Sequence, residues 1–412
     1  MSPRRPVDDT YAAQLTVDTP ILVLGLAGLS MHHGALGIAR SAGRLGIRAF
    51  CAHGGRRTAL LRSRYWQGQA RVSRADTDRQ KLSALLDFGR EHDRAILIPV
   101  DDESAMFVEA NAQELARSFR FPRQPAGLVH ALASKREMHR LCLEYDVPTP
   151  SSSFPRSRAD VVRHAESNGF PIVLKRIDAS IPAAAEAPSV RIARDVEELL
   201  DAYQLMESSQ EPNVLLQEYI PGTPETIWMF NGYFDGQSDC TTAFTGQKIR
   251  QSPPDTGATT LGVCRPNAVV EHTTRRLMKA IGYRGILDIG YRWDARDGQY
   301  KLLDVNPRIG ATFRLFVASN GIDVLRALYL DLTGQAIPDA DQRQERRWLV
   351  EPLDLRSSLT YLRRHDVGLA EWAGSFRSVE ETAWWARDDP RPFLAAVASL
   401  SRGYLRKRVR PT

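Results

Sequence analysis

The sequence predicts an α/β segment followed by an α+β segment rich in antiparallel strands, with a helical stretch at the end. Three observations predict it. Apolar runs at residues 21–25, 47–51 (broken only by Arg48) and 95–100, with helical spacing after the first, mark a parallel sheet buried on both faces. From about residue 214, strand patterns follow one another with Pro-Gly and Asp-Gly turns between them. From about residue 342 the composition shifts to Arg, Trp and Leu at helical intervals. At 412 residues the chain exceeds what one small core supports, so about two or three domains are expected.

Taken in order, the first twenty residues lack periodicity and carry Pro3, Pro6 and Pro20, the mark of a loose arm. The strand at 21–25 runs into a Gly-rich turn and a helix over about 33–45, and the strands at 47–51 and 95–100 complete a βαβ beginning. The turn holds Gly25 and Gly28 without a complete G-x-G-x-x-G, and no acid closes the second strand, so dinucleotide binding is poorly supported. Asp101, Asp102 and Glu103 sit where open α/β sheets place ligand-contacting loops, and equally suit a plain helix start. Ser134 and Glu137 make a capping-box pattern for a helix that runs to about Tyr145 and stops at Val147-Pro148-Thr149-Pro150. Lys135 and Arg136 in its first turn oppose the helix dipole, a mismatch that a bound phosphate removes.

Residues 171–176, P-I-V-L-K-R, form an apolar strand interrupted by Lys175, which needs an anionic partner if it faces a pocket. An alanine-rich loop at 178–189 and a helix lead to 214–222, V-L-L-Q-E-Y-I-P-G, a strand stopped by a Pro-Gly turn with Glu225 just beyond. Strands are expected at 226–234 and 242–251, the latter carrying Lys248 and Arg250, then a helix at 268–281. Strands at 285–293 and 300–305 joined at Asp297-Gly298 bring Asp288 near Asp304. The stretch with Trp372, Trp384 and Trp385 reads as a helical appendage packed by aromatics.

The densest chemistry lies in 302–310, L-L-D-V-N-P-R-I-G. Strand alternation places Asp304 and Asn306 on one face, and Arg308 follows the turn-favouring Pro307. A carboxylate and an amide suit a hard cation that completes its shell with phosphate oxygens, and a guanidinium fork suits phosphate or carboxylate. Taken alone, the same pattern describes a strand end with a solvated polar tip.

Bulk properties bound the function. Hydrophobic residues make up 43% and charged residues 25%, ordinary for a soluble globular protein. The longest apolar run, 21–29, is far shorter than a membrane span and follows Asp8, Asp9 and Asp18, which a secretory signal would not carry, so a cytoplasmic location is expected. Cys51, Cys142, Cys240 and Cys264 lie far apart without metal-ligand spacing, as reduced thiols do. The net charge is +6, but the last twelve residues hold Arg402, Arg406, Lys407, Arg408 and Arg410 and no acid, leaving +1 for the other 400. No nucleic-acid partner is expected, and contact of this tail with an anionic membrane surface is a minor option.

Together these segments resemble the ATP-grasp superfamily, and within it the carboxylate-amine ligases with a carbamoyl-phosphate-synthetase-like ATP-binding module. The match covers about 21–338 and rests on four motifs in the family's order. The resemblance implies a flexible arm at 1–20 and a Rossmann-like pre-ATP-grasp α/β domain at 21–133. It further implies ATP-grasp subdomains at 134–220 and 221–338, followed by a helical extension with a basic tail at 339–412. In A-S-K-R-E-M, Lys135 resembles the family's first phosphate-side lysine, and Lys175 in P-I-V-L-K its second. Gln217, Glu218, Tyr219 and Ile220 resemble the adenine hinge, with Glu225 for the ribose. Lys248 and Arg250 in G-Q-K-I-R match basic residues near the terminal phosphate and acyl group. Asp304 and Asn306 match metal ligands, and Arg308 a phosphate- or substrate-binding arginine.

Three departures stand out. Asp304 occupies a position usually held by Glu, the first metal position counted back from the hairpin falls on Gly290, and the loop at 178–189 has no glycine. Asp288, two residues before Gly290 and on the same face, is the expected substitute ligand.

The resemblance implies ATP and Mg2+, or Mn2+ in its place, and a ligase joining a carboxylic acid to an amine, such as an amino acid or small peptide, through an acyl phosphate. Arg250 and Arg308 would steady the transferred phosphoryl group and the oxyanion. An ATP-dependent carboxylase, a ligase using ammonia, and a non-catalytic ATP-binding module remain as alternatives, and a homodimer is one open oligomeric state.

Overall fold

The computed structural model describes residues 15–408 apart from 30, 54–57, 74, 179–187, 209–211 and 340. Most of the expected arm and most of the alanine-rich loop lie outside these residues.

The first layer is a parallel sheet. Its chain order is β1 (Ile21–Leu24), α1 (His33–Gly43), β2 (Ala49–Ala52), β3 (Trp66–Ala70), α2 (Asp78–Glu91) and β4 (Ile96–Pro99), with spatial order β3-β2-β1-β4. Every residue of β1 is buried because the sheet is covered on both sides: Ile21 and Val23 join one apolar cluster and Leu22 and Leu24 another, as a period of two requires. Helices α3 (Asp102–Ala110), α4 (Ala112–Leu115), α5 (Leu128–Ala133) and α6 (Lys135–Glu144) then lead out of this layer.

The capping box expected at Ser134 does not form. The Ser134 hydroxyl makes no cap bond, and the Glu137 carboxylate turns to Arg140 at 3.0 Å. The Lys135 amide instead donates to the Ile177 carbonyl at 3.3 Å, tying the start of α6 to the chain after the strand that carries Lys175.

A second, antiparallel sheet follows, ordered β5-β8-β6-β7. Its elements are β5 (Ser152–Ser153), α7 (Arg158–Asn168), β6 (Ile172–Arg176), β7 (Val190–Ala193), α8 (Val196–Met206) and β8 (Val214–Glu218).

The third sheet has seven strands. The chain contributes β9 (Ile227–Phe234), β10 (Cys240–Ser252), β11 (Ala258–Cys264), α9 (Ala268–Ala280), β12 (Gly285–Asp294), β13 (Gln299–Asn306), α10 (Val324–Leu332), β14 (Arg347–Leu349), α11 (Glu351–Arg364), α12 (Leu369–Ser375), β15 (Val379–Thr382) and α13 (Arg391–Arg408). The spatial order is β13-β12-β9-β10-β11-β14-β15.

The last 70 or so residues are thus not wholly helical. β14 pairs with β11 through Leu349 and Leu261, and β15 lies parallel to β14. Trp348 and Trp384 are buried whereas Trp385 is 48% exposed, so the tryptophans do not form a single packed face. The four cysteines are free, and no helix among the described residues is long and apolar enough to cross a membrane.

One ion pair ties the end of the chain to its beginning. Arg40 on α1 and Asp389 are 3% and 1% exposed; Arg40 Nε donates to Asp389 at 3.0 Å, and its other nitrogens donate to the Ala383, Trp384 and Asp389 carbonyls. Asp389 also accepts from the Ser63 hydroxyl at 2.7 Å and the Arg64 amide at 3.1 Å. Removing one partner of such a pair leaves a buried charge without compensation. Asp389→Ala is expected to lower the unfolding free energy by about 3–5 kcal/mol in urea titration; a loss of under about 1 kcal/mol, the size of a surface pair, would refute this anchoring role.

Candidate active site

The second and third sheets face each other across a cleft of about 450 Å³. From the smaller sheet come Lys175 and Val173 on β6 and Gln217 on β8; Val173 and Gln217 are directly paired, which puts all three on one face. From the larger sheet come Met229, Lys248, Asp288, Arg292, Asp304 and Asn306. Lys135 enters from the first turn of α6, and Arg308 from the turn after β13.

The acidic wall is set by strand register. Asp288 lies opposite Asn306, and Gly290 opposite Asp304, so the position counted from the hairpin is a glycine with no ligating group. A bulge at Leu303 puts both Leu303 and Asp304 on the cleft. Asn306 Nδ2 donates to Asp288 at 3.2 Å, while Arg308 donates to Asn306 Oδ1 at 3.1 Å. Gly310 permits this packing, since a Cβ there would lie 2.5 Å from the Asp288 carboxyl carbon.

The parallel sheet supports the same corner. Arg308 Nε donates to Asp102 at 2.7 Å. Asp101 caps α3 through the Ser104 amide at 2.8 Å and also accepts from the Ala27 amide at 3.0 Å. The acidic triplet is therefore a helix start that also braces the site arginine. Gly34 on α1 meets the Ala311 backbone so closely that a Cβ would sit 2.7 Å from its Cα, which holds the chain after Arg308 in place.

Charge in the cleft is out of balance. Lys135 forms an ion pair with Asp304. Lys175 has no hydrogen bond or ion pair among the described residues, and burial, reinforced by Lys135, lowers its pKa to about 8. Lys248 donates to the Gly257 carbonyl at 3.0 Å, and burial lowers its pKa also to about 8, although Asp288 and Asp304 pull it upward. Burial raises Asp288 to about 6, against the pull of Arg308 and with a further push from Asp304. Burial also acts upward on Asp304, but Lys135, Lys175 and Arg308 hold it below the usual carboxylate range. Three lysines and two arginines line the cleft with four carboxylates, of which Glu218 and Asp255 are paired with cations outside the lining, so Asp288 and Asp304 are left to face the lysines, a composition suited to a polyanion.

Two expected residues lie elsewhere. Arg250 is 1% exposed and points out of the cleft: Nε and Nη2 bind Asp354 at 2.9 and 2.8 Å, and Nη1 binds the Ser375 hydroxyl at 2.6 Å. A bulge at Ile249 is the cause, because Lys248 pairs with Gly262 and Arg250 with Leu261, which shifts the alternation so that Gln251 shares the cleft face with Lys248. Glu225 is exposed in the turn before β9 and borders a smaller depression with Arg265 and Arg347.

Glu218 faces away from Gln217, and its carboxylate is committed to the Ser151 amide at 3.0 Å, Lys301 at 3.0 Å and Arg296 at 2.8 Å. Burial pushes it up, but these donors hold it below its ordinary pKa. Glu218, Tyr219 and Ile220 border the cleft at this hinge, with the Glu218 carboxylate already committed to these partners.

Arg292 was not singled out from the sequence. Its Nη2 donates to the Gly222 carbonyl at 2.7 Å, and its buried Nε has no partner among the described residues. It shares the face of Asp288 and Gly290 at intervals of two, so strand alternation was the signal that could have found it.

No family model matches the chain. The D-aspartate ligase of Enterococcus faecium (strain Aus0004) is 25% identical over 240 residues, covering 56% of this chain and 57% of that protein. This chain thus spans little more than half the length of that relative. The N5-carboxyaminoimidazole synthetase of Staphylococcus aureus, solved with ADP, superposes with a TM-score of 0.63 at 12% identity over 85% of this chain and 87% of that one. The L-amino acid ligase of Bacillus licheniformis gives 0.59 at 13% identity over 77% and 75%. These are ATP-grasp proteins, so the mixed α/β architecture with several sheets is the ATP-grasp fold that the motifs implied.

The lysine pKa values carry a sign. Lys175 in the fold has a pKa of about 8, below the ordinary 10.5, so the full cost of burying its charge is present below about pH 8, fades between 8 and 10.5 as the folded-state lysine gives up its proton, and is gone above 10.5. Lys175→Met is expected to stabilise the nucleotide-free protein by on the order of 1–2 kcal/mol at pH 7, with the gain shrinking between pH 8 and 10.5, while nucleotide affinity drops. Chemical denaturation across this range is the check, and a variant less stable than wild type at pH 7 would contradict it.

Proposed function

We propose that this chain is an ATP- and Mg2+-dependent ligase that joins a carboxylic acid to an amine through an acyl phosphate. The observation that carries the reading is the convergence of Lys135, Lys175, Lys248 and Arg308 with Asp288, Asp304 and Asn306 in one cleft between two sheets. Segments 134–220 and 221–338 are read as the two halves that close on the nucleotide, and 21–133 as the α/β domain that braces the substrate end.

The donor set fits a hard divalent ion. Two carboxylates and one amide line the same wall, and a cation there would favour the ionised form of Asp288 that burial now disfavours. The described residues contain no group of three or more His, Cys, Asp or Glu able to hold an ion alone, so the rest of the shell must come from phosphate oxygens and water. Held by Asp288, Asp304 and Asn306, Mg2+ would neutralise phosphate charge.

The chain's own residues do the positioning. Lys175 and Lys248 bind phosphate oxygens as ammonium point charges, and an approaching triphosphate raises their depressed pKa values and fixes them protonated. Lys135, already paired with Asp304, links the acidic wall to the phosphate chain. Val173, Ile192, Ile220 and Met229 make an apolar slot for a planar base, with the hinge backbone supplying its polar contacts. Arg308, fixed by Asp102 and Asn306, faces the acid and the phosphoryl group in transfer. The acid's carboxylate attacks the γ-phosphorus in line, ADP leaves, and the amine then displaces phosphate from the acyl carbon. No enzyme nucleophile is needed, and catalysis is orientation and charge stabilisation.

The similarity to a D-aspartate ligase favours an amino acid as one substrate. The test is ADP release screened over amino acids and small carboxylic acids with Mg2+. Amine-dependent release that falls at least 100-fold in Asp304→Ala is the expected outcome. Release dependent on bicarbonate or ammonia alone would reassign the acceptor, and turnover near wild type in Asp304→Ala would remove the metal assignment.

A further inference from the structure

A second cavity, of about 310 Å³, adjoins Arg308 where β4 of the parallel sheet meets the start of β12. Its walls are largely apolar, with Ile98 of β4, Val108 of α3, Phe121, Ile286 of β12 and Leu328 of α10 among them. The exposed Gln113 and Ala126 also line it, so it opens to solvent. Protein interiors leave few voids larger than a water molecule, and pockets for small ligands begin at about 300 Å³. Among the described residues Arg308 alone lines both this space and the cleft of the lysines.

Two half-buried side chains of opposite charge line the cavity without an ionic partner. Glu109, near the end of α3, accepts from the Val129 amide at 2.9 Å and pairs with no cation among the described residues. Arg284, just before β12, pairs with no carboxylate among them. Its Nη1 reaches only the Arg123 carbonyl, at 3.4 Å, and its buried Nε has no partner among those residues. The Arg284 backbone is fixed, since its amide donates to Gln124 Oε1 at 3.1 Å and its carbonyl accepts from Gln124 Nε2. Withdrawing a charge from water without pairing it is costly, and a ligand carrying both signs beside an apolar body offsets that cost at both residues.

This is not where the proposed phosphoryl transfer takes place. Asp102, which holds Arg308, and Glu109 are seven residues apart on α3, roughly 10 Å along its axis. An α-amino acid carries its ammonium and carboxylate on one carbon. Anchored at Glu109, it is too short to present that carboxylate to the groups gathered around Arg308.

We propose that the cavity binds a free α-amino acid with an apolar side chain, as a ligand separate from the reacting acid and amine. The ammonium meets Glu109, the carboxylate meets the Arg284 guanidinium, and the side chain lies among the apolar walls.

The experiment is calorimetric titration of the full chain, without nucleotide, with leucine and phenylalanine. Isocaproate and isoamylamine, which are leucine without its ammonium and without its carboxylate, are titrated alongside. The variants are Glu109→Gln, which keeps an acceptor for the Val129 amide, Arg284→Gln, and Val108→Trp, which fills the cavity. The expected result is that leucine or phenylalanine binds wild type, that Glu109→Gln and Arg284→Gln each weaken it at least ten-fold, and that Val108→Trp abolishes it. Each single-charge analogue binds at least ten-fold more weakly than leucine. The proposal is overturned if neither amino acid binds wild type, if either charge variant binds as wild type does, or if an analogue matches leucine. Should Val108→Trp not fold, the two charge variants decide the matter. No arm contains ATP, so a failure of the ligase reading leaves this test intact.

Discussion

The ammonium groups of Lys135, Lys175 and Lys248, gathered below the rim of one cleft, are the constraint on which the rest of the site turns. Burial makes positive charge expensive there, and the two carboxylates on the facing wall return only part of that cost. Sequence and fold meet at this imbalance, because an apolar strand that keeps a lysine mid-run needs an anionic partner, and the described residues offer Lys175 no ion pair or hydrogen bond, only the more distant pull of Asp304. In the proposed function, a bound triphosphate supplies that charge.

Precision in the cleft comes from irregularities in otherwise regular strands. The bulge at Leu303 brings two consecutive residues of β13 to the cleft, and the bulge at Ile249 gives Lys248 to the cleft and Arg250 to the interior. Gly310 lets the chain pass over Asp288, and Gly34 lets α1 settle on the backbone just beyond. The seven-stranded sheet extends into β14 and β15, and buried pairs such as Arg250–Asp354 and Arg40–Asp389 join that end of the chain to the strands and helix behind the site.

How much was legible follows from the same physics. Lys135, Lys175, Lys248, Asp288, Asp304, Asn306 and Arg308 all reach the cleft, because alternation and one hairpin register are enough to place residues on regular strands. Gly290 opposite Asp304 was readable for the same reason. Arg250 was not, since a single inserted residue reverses the face and leaves no mark in the pattern. The capping box at Ser134 failed because the first amide of the helix, Lys135, is drawn to the Ile177 carbonyl and the Glu137 carboxylate pairs along the helix with Arg140. Strands β14 and β15, three and four residues long, are too short for periodicity to register, which is why the last segment read as helical.

Proton linkage on nucleotide binding tests the central claim most directly. At pH 8 the Lys175 and Lys248 ammoniums are each about half deprotonated, whereas Asp288 is already ionised. Calorimetric titration with Mg·ATP at that pH in buffers of differing ionisation enthalpy should therefore report uptake of about one proton per nucleotide bound. Binding with no uptake, or with release, would mean that the lysines do not close on the phosphates.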